Sequence, residues 1–575
     1  MRVSRSTLFI YISVSVYALI LCWFAYSYLN GLINSAMFFN ADALYLPSIF
    51  KNIFLDGKHI SDWMLAPSTL LFPDALLYAF AYILNKHAAI QILYFAVLQS
   101  VSFFFLTGVL LNFFLRRSVA IAFSALISSN IIVLGLYSAD PYALSFISVF
   151  HFGSLLCYLL LSVLLLKFLS ATSTKLKYSI GFVTIFLSAL SIISDHLIEL
   201  QFVAPVFLIG LFFYYGGQRS KELFKFGILL IIGFILAFIL EKMFLTSTGR
   251  LDYGIGFDSL THKSMMLVDW VIGRPLLILL SLLLLPITLF ISLIFLIRHW
   301  KSTDAYVFRQ KLFAMLFLVS TVLALLVTGL SNRDFTVRYL LPYIFLPPVF
   351  LFILLNEKSA KYLATVIFCS SLLALIATHE KKPKLVQLYP DVVRCVDALA
   401  KKYNVSRGIA QYWDAIPIYV FSNAGLNVVP VLADGSPTQW MYNSSEYAGK
   451  FSFAIIDNSA SDFYRISRKD IEQRLKRKPF EYQCFGRTVL IFNNETIFLQ
   501  QQSDVSNIRS SALESFVENP RALLIMAREE SGKGDPQASL RLLSEAIALL
   551  KRSGARDETV KYYESAMRNI KDRIH

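Results

Sequence analysis

Long apolar segments recur along the first two thirds of the chain. The first begins after Arg5 and continues to about Phe39. Ten further segments contain no Asp, Glu, Lys or Arg: 88–115, 118–139, 141–166, 178–194, 200–218, 226–240, 275–297, 312–332, 339–356 and 362–379. A helix needs about 20 apolar residues to cross a bilayer. Most of these segments are long enough, and 226–240 can extend into its neighbours, so the pattern predicts eleven membrane-spanning helices.

The stretch between the first two spans, residues 30–87, has a different pattern. In segment 63–85, Pro67, Pro73 and Asp74 leave too short an apolar run for a span, which predicts a helix at the membrane interface. Before it, residues 40–63 place apolar side chains at three- and four-residue steps: Leu46, Ile49, Phe50, Ile53 and Phe54. This spacing is typical of an amphipathic helix lying on a membrane surface.

The loops between the predicted spans differ in charge. Alternate loops, starting with the N-terminus, carry sixteen basic and three acidic residues. The later loops between them carry Asp140, then Asp195 and Glu199, then a segment of mixed charge at 250–274, and then Arg333, Asp334 and Arg338. Basic residues concentrate on the cytoplasmic side of membrane proteins. The pattern predicts a cytoplasmic N-terminus and an extracytoplasmic C-terminal part, most simply in a bacterial inner membrane.

The composition agrees with a membrane protein. The 575-residue chain is 56% hydrophobic and only 16% charged, against about 25% charged residues in soluble domains. Its mean hydropathy is +0.60. The net charge of +15 follows from the basic cytoplasmic loops, so nucleic-acid binding is not expected, and the lipid bilayer is the expected surrounding.

After residue 378 the pattern changes to short apolar runs. Residues 389–403 and 467–477 have helical periodicity, 408–413, 427–432 and 451–457 resemble strands, and 482–493 resembles a hairpin turning at Phe485 and Gly486. Helices interleaved with strands predict a small α/β domain over 379–500. The tail, 501–575, has helical periods at 511–530, 535–552 and 556–573. It resembles a tetratricopeptide half-repeat or a helical cap on the α/β domain, and an envelope protein could bind to it.

The cysteines fall into two groups. Cys22, Cys157 and Cys369 lie in predicted spans, whereas Cys395 and Cys484 lie in the predicted extracytoplasmic part. An oxidising compartment permits a disulfide between these two, and we expect one. No Cys/His spacing indicates a zinc site.

Ionisable residues at membrane depth mark functional sites by default. Asp42, in "NADALY" just after the first span, is the first candidate. Other acids and histidines fall on the same predicted face: Asp56, His59, Asp62, Asp74, Asp140, His151, Asp195, His196 and Glu199. Arg338 lies where a late loop re-enters the membrane, and its planar guanidinium suits a phosphate because it can donate two hydrogen bonds at once.

These features resemble the GT-C superfamily of polytopic glycosyltransferases, which use polyprenyl-phosphate or polyprenyl-diphosphate sugars. The resemblance covers roughly residues 1–378 and is carried by "NADALY", by "FLDG" at 54–57, by "FPDALLY" at 72–78 and by "RYLLP" at 338–342. Several branches of the superfamily have a second acid directly after the loop acid, whereas Ala43 follows Asp42 here.

The resemblance implies roles for particular residues. Asp42 would be the catalytic carboxylate that orients or deprotonates an acceptor hydroxyl. Arg338, with Arg333, would bind the phosphate of a polyprenyl-linked sugar donor. Asp140, His151, Asp195 and His196 could complete the site for a glycan, lipid or protein acceptor, or hold a divalent ion such as Mg²⁺ or Mn²⁺.

Two other functions are compatible with the pattern. A transporter or flippase for a lipid-linked glycan also needs charged residues near a cavity, although typically at the bilayer midplane and with internal repeats, and neither feature is visible in the sequence. A non-catalytic envelope scaffold would act through the helical tail.

Overall fold

The fold is described by a computed structural model. It describes residues 5–499 except 34, 139–140, 216–217, 245–256, 332–335, 379–387, 434, 439–440, 459–464 and 493, together with isolated helical positions between 540 and 568. Residues 1–499 form one compact unit and residues 500–575 a second.

Sixteen helices precede residue 379 within the described ranges. They are α1 (Arg5–Leu29), α2 (Tyr45–Phe54), α3 (Leu76–Leu84), α4 (Ala88–Leu111), α5 (Arg117–Tyr137), α6 (Phe152–Ser170), α7 (Thr174–Ser194), α8 (Ala204–Phe212), α9 (Gln218–Phe244), α10 (Phe257–Ile272), α11 (Leu276–Leu282), α12 (Leu284–His299), α13 (Ala305–Leu330), α14 (Leu341–Phe345), α15 (Pro347–Leu354) and α16 (Glu357–Thr378). Ten helical segments of the described chain are long and apolar enough to cross a membrane, so the chain is an integral membrane protein.

One of the eleven predicted spans, 200–218, is shorter than the sequence suggested. In place of a span over 200–218, a short turn at Glu199–Val203 continues into α8, and the combined apolar helix ends at Phe212. The uncharged run continues as Phe213-Tyr-Tyr-Gly-Gly217, and paired glycines are poor helix formers. Helix α10, in the mixed segment 250–274, was not predicted.

Helix α2 forms where the amphipathic pattern predicts it, but most of its apolar face packs inside the protein. Leu46, Ile49 and Phe50 are buried, and so are the polar residues Ser48 and Asn52. The helix is covered on more than one side, because it contacts α3 and α4 of the bundle as well as a helix of the C-terminal domain. It therefore joins two parts of the fold.

The C-terminal part of the first unit is an α/β domain, as predicted. Its helices are α17 (Asp391–Tyr403), α18 (Tyr412–Phe421) and α19 (Arg468–Gln473). The first strand of the chain, β1 (Trp63–Met64), belongs to the long loop after α1; the domain supplies β2 (Arg407–Ala410), β3 (Asn427–Pro430), β4 (Tyr442–Asn443), β5 (Lys450–Phe451), β6 (Phe453–Asp457), β7 (Phe480–Cys484), β8 (Arg487–Ile491) and β9 (Ile497–Phe498). The main sheet has the order β3-β2-β6-β8-β7.

Strand direction divides this sheet into two halves. Strands β3 and β6 flank β2 in parallel, and β8 runs antiparallel to β6 and β7. The β7–β8 hairpin turns at Phe485 and Gly486, as predicted, and both residues have positive φ, 51° and 83°. Residues 412–413, expected at the end of a strand, instead begin α18.

The α/β domain is joined to the long loop after α1 by buried polar contacts. Strand β1 pairs with β4, with Trp63 opposite Asn443. The side-chain oxygen of Asn52, on α2, accepts hydrogen bonds from Trp63 Nε1 at 2.9 Å and from Asn443 Nδ2 at 2.7 Å. Because buried hydrogen-bonded networks fix a unique arrangement, the domain sits at a defined position on the loop.

The second unit is described only at isolated positions. Residues 540, 541, 543, 544, 546, 547, 551, 564, 567 and 568 are helical, and Lys551 forms an ion pair with Glu564 at 2.7 Å. The predicted helix at 511–530 lies outside the described residues.

Cys395 and Cys484 form the expected disulfide, which ties α17 to the end of β7 across 89 residues of chain. Replacing both by serine is expected to lower the free energy of unfolding of the α/β domain by about 2–5 kcal/mol, because the cross-link restricts the unfolded chain. The measurement is the unfolding midpoint of the purified full-length protein, followed by tryptophan fluorescence without reductant. Cys369→Ser, at an exposed free cysteine, is the matched control, and an unchanged midpoint in the double variant would contradict the expectation.

Candidate functional site

A cavity of about 670 Å³ lies between the helical bundle and the α/β domain. The bundle contributes the loop after α1 and the ends of several helices, and the domain contributes residues that follow its parallel strands. The lining residues include Asp42, Pro67, Ser68, Val149, His151, Asp195, His196, Glu199, Gln201, Ala324, Val327, Arg338, Tyr339, Tyr412, Trp413, Val431, Leu432 and Met441.

The position of the domain explains which of its residues reach the cavity. Tyr412 and Trp413 follow β2, and Val431 and Leu432 follow β3, so both groups leave the carboxyl ends of neighbouring parallel strands. Ligands of α/β folds bind at this edge of the sheet. The sheet therefore presents its usual ligand-binding edge to the membrane bundle.

Asp42 lies in a tight turn between the first span and α2. The side-chain oxygen of Asn40 accepts a hydrogen bond from the backbone N–H of Ala43 at 2.9 Å, and Ala41 and Ala43 are buried. The turn thus holds the half-buried carboxylate of Asp42 at the cavity wall, where the hydroxyl of Tyr412 donates to Oδ1 at 3.2 Å. Burial raises the pKa of Asp42 above its usual range, although the charge of Arg338 and the Tyr412 hydrogen bond act in the opposite direction.

Arg338 reaches the same cavity from the short turn Val337–Leu340, after α13. Its guanidinium carbon lies 5.7 Å from the ring centre of Phe150 and 5.6 Å from that of Tyr339. Its Nε is buried and has no hydrogen-bond partner among the described residues. A buried donor without a partner carries a desolvation cost, which an anionic ligand would remove.

His151 and Asp195 form a second polar group in the cavity. The Nδ1 of His151 lies 2.8 Å from Oδ2 of Asp195, and both side chains are buried. The other carboxylate oxygen of Asp195 accepts from the backbone N–H of Leu197 at 3.2 Å and from the hydroxyl of Ser68 at 3.4 Å. Asp195 is therefore held by contacts on both of its oxygens.

His196 is balanced by two acids at the cavity rim. Its Nδ1 lies 2.7 Å from Glu199 Oε1 and its Nε2 lies 3.4 Å from Glu241 Oε1. The hydrogen bond to Glu199 raises the pKa of His196 to about 9, with burial opposing it. His196 is thus a cation at neutral pH whose charge is compensated locally.

Other sequence candidates lie away from the cavity or outside the described residues. Asp140, Arg333 and Asp334 are not among the described residues. Asp56 accepts a hydrogen bond from Tyr419 and joins the loop to the domain. In the same loop, His59 is exposed to solvent and Asp62 is half-exposed. Asp74 is buried against Gly153.

The divalent-ion hypothesis gains no support from the described residues. They contain no group of three or more His, Cys, Asp or Glu side chains placed to hold a metal ion. Asp195 and His196 also point their polar atoms at protein partners.

Two residues that sequence reasoning missed are Tyr412 and Trp413. Both belong to "QYWDAIP", at the start of α18, and Trp413 lines the cavity with 41% of its surface exposed. Two adjacent aromatic residues close after a predicted strand were a usable signal, since aromatic rings and a few convergent polar groups are typical of ligand pockets. Comparison with family models, with curated proteins and with solved structures finds no match to this chain.

Proposed function

We propose that this protein is a membrane glycosyltransferase that moves a sugar from a polyprenyl-phosphate or polyprenyl-diphosphate donor to an acceptor hydroxyl, in envelope glycan or glycolipid synthesis. The observation that carries the proposal is that Asp42 and Arg338, distant in sequence, line one cavity. In this proposal Asp42 is the proton acceptor. Arg338, whose Nε has no hydrogen-bond partner among the described residues, binds the phosphate.

The reaction needs one carboxylate and one cation. The acceptor oxygen attacks the anomeric carbon while its proton passes to Asp42. The bond from that carbon to the phosphate oxygen breaks, and the lipid phosphate leaves with the electron pair, stabilised by Arg338. The phosphate leaving group needs no proton donor, and a single displacement inverts the anomeric configuration.

The lining of the cavity is consistent with a lipid-linked substrate. The lining combines apolar side chains, among them Ala324 and Val327 on the last turns of α13, with the polar Asp42, Arg338 and Tyr412. In this proposal the polyprenyl chain contacts the apolar side chains and the sugar phosphate contacts the polar ones. In this proposal the cavity faces the extracytoplasmic leaflet, and the α/β domain is extracytoplasmic.

The test is an assay of the purified full-length protein in lipid nanodiscs. A panel of polyprenyl-phosphate and polyprenyl-diphosphate sugars is supplied with candidate acceptors, and released lipid phosphate and glycosylated product are both measured. Transfer of at least one sugar, with one lipid phosphate released per sugar transferred, supports the proposal. Movement of the donor between leaflets of sealed vesicles without chemical change would favour the transporter hypothesis instead.

The pH dependence of transfer follows from the surroundings of Asp42. The carboxylate acts in its deprotonated form, so the rate falls as the pH drops through its pKa, which burial places above the usual range. Tyr412→Phe removes a hydrogen bond that lowers this pKa. The acid limb of kcat/KM is therefore expected to move to higher pH.

The measurement is kcat/KM across the pH range for the wild type and for Tyr412→Phe. Tyr178→Phe, on the exposed surface of α7, should reproduce the wild-type profile. A Tyr412→Phe profile with its acid limb unmoved or moved to lower pH would show that this hydroxyl does not act on the reacting carboxylate.

A further inference from the structure

The His151–Asp195 pair is the part of the cavity to which the proposed reaction assigns no role. His151 has a left-handed backbone conformation, with φ of 64°, directly before the first residue of α6. Non-glycine residues in this region are uncommon and cluster at functional sites when the surrounding structure holds them there. Here the surrounding structure is dense, since the ring of His151 and the carboxylate of Asp195 are both buried.

The contacts of Asp195 determine which atom of His151 is available. Oδ2 of Asp195 lies 2.8 Å from Nδ1 of the ring. Its Oδ1 accepts hydrogen bonds from the backbone N–H of Leu197 and the hydroxyl of Ser68. A carboxylate at Nδ1 places a proton on that nitrogen. Nε2 then remains as the functional atom of a ring that lines the cavity, and it has no hydrogen-bond partner among the described residues.

The same ring lies beside the phosphate ligand of the proposed reaction. His151 follows Phe150, whose ring centre is 5.7 Å from the guanidinium carbon of Arg338. Tyr339, which follows Arg338, has its ring centre 5.2 Å from that of His151. Each of the two side chains thus packs near a sequence neighbour of the other, so both lie in the same region of the cavity lining.

We infer that His151 is a second phosphate ligand, whose Nε2–H donates a hydrogen bond to the lipid phosphate that Arg338 binds, with Asp195 as the positioning residue. The inference rests on the proposed function and extends it to the recognition of the donor. This role requires a proton on Nε2 as well as on Nδ1, with the ring between Asp195 and the phosphate. Arg338, Tyr339 and the buried Asp74, which packs against Gly153, are among the charged or titratable groups near it.

This arrangement gives the leaving phosphate two donors of different geometry. Arg338 offers a planar fork and His151 a single N–H. A phosphodiester donor becomes a phosphomonoester product with a greater negative charge. A second hydrogen-bond donor therefore binds the departing group more strongly than the intact donor, which is the differential binding that accelerates a reaction.

The test measures binding of two lipids that differ only in the phosphate. Purified full-length protein in nanodiscs is titrated with farnesyl phosphate and with farnesol. His151→Ala is expected to weaken farnesyl phosphate binding about tenfold, the usual size for a hydrogen bond to a charged group, and to leave farnesol binding unchanged. His151→Gln, which keeps an N–H donor, should recover part of the loss, and Asp195→Asn should weaken phosphate binding in the same selective way.

The controls separate this inference from the proposed function. His59→Ala removes an exposed histidine of the loop after α1 and should bind both lipids as the wild type does. Equal losses for both lipids in His151→Ala, or no loss, overturn the role of His151. Unchanged phosphate preference in Arg338→Ala instead overturns the phosphate site of the proposed function. Inorganic phosphate is the third probe, and binding as tight as that of farnesyl phosphate would overturn a lipid phosphate as the ligand.

Discussion

Asp42→Asn is expected to reduce sugar transfer by about 10²–10⁴-fold, the range that a positioned proton acceptor contributes. The amide keeps the shape of the side chain and can still accept from Tyr412, so the turn that holds residue 42 remains intact. It cannot take the proton of the acceptor hydroxyl. The measurement is kcat of the purified protein with a saturating donor, together with the affinity for that donor.

The matched control is Asp62→Asn, on the same loop. Asp62 does not line the cavity, and its side chain contacts the neighbouring Ser61, so this variant should retain wild-type transfer. Asp42→Asn should also retain its abundance in the membrane and its affinity for the donor. Transfer near the wild-type rate in Asp42→Asn would remove this carboxylate from the chemistry.

Arg338→Ala has the second largest expected effect, a loss of about 10²–10³-fold in kcat/KM, the size found when a group that stabilises developing negative charge is removed. Arg338→Lys should recover only part of the activity, because an ammonium group is a point charge without the planar fork that matches a phosphate. Steady-state kinetics over a range of donor concentrations separates weaker donor binding from slower chemistry.

The structure adds a second readout for the same variant. Arg338 lowers the pKa of Asp42, against the effect of burial. Arg338→Ala is therefore expected to move the acid limb of the pH profile upward as well as to lower the maximum. Arg394→Ala, at an exposed arginine on α17, should change neither quantity, and an Arg338→Ala enzyme with wild-type kinetics would contradict the assignment.

Hydrophobic patterning predicted most of the membrane bundle because length and apolar composition largely decide whether a segment can span a bilayer. The segment 200–218 shows the limit of that rule. It is free of charges, yet its helix stops at Phe212, since freedom from charge does not ensure helix propensity through a Tyr-Tyr-Gly-Gly sequence.

Local patterns in the C-terminal domain were also informative. The β7–β8 hairpin forms because Phe485 and Gly486 can close a tight turn between two short strands. The beginning of α18 was missed because Ile409, Ala410, Tyr412 and Trp413 form a short, mainly apolar run, interrupted only by Gln411, that continues from β2 into the helix. A short continuous apolar run does not distinguish strand from helix.

The ionisable residues of the candidate site could be selected from the sequence because each lies within or next to an apolar span, where an ionisable side chain is unusual. Asp42, Arg338, His151 and Asp195 were all recognised in this way, and all line the cavity. Tyr412 and Trp413 were not recognised, because placing an aromatic residue in an α/β domain carries no unusual free-energy cost. Their significance depends on where the domain packs.

The sequence by itself determined that the chain is a multi-span membrane protein, that a small α/β domain follows the bundle, and which charged side chains stand out, because burial of apolar surface and the cost of unpaired charge act along a local stretch of chain. Only the tertiary structure decided that α2 is buried, that the carboxyl edge of the sheet closes the cavity, and that Asp42, Arg338 and His151 meet there. Those features depend on contacts between residues hundreds of positions apart, which no local pattern encodes.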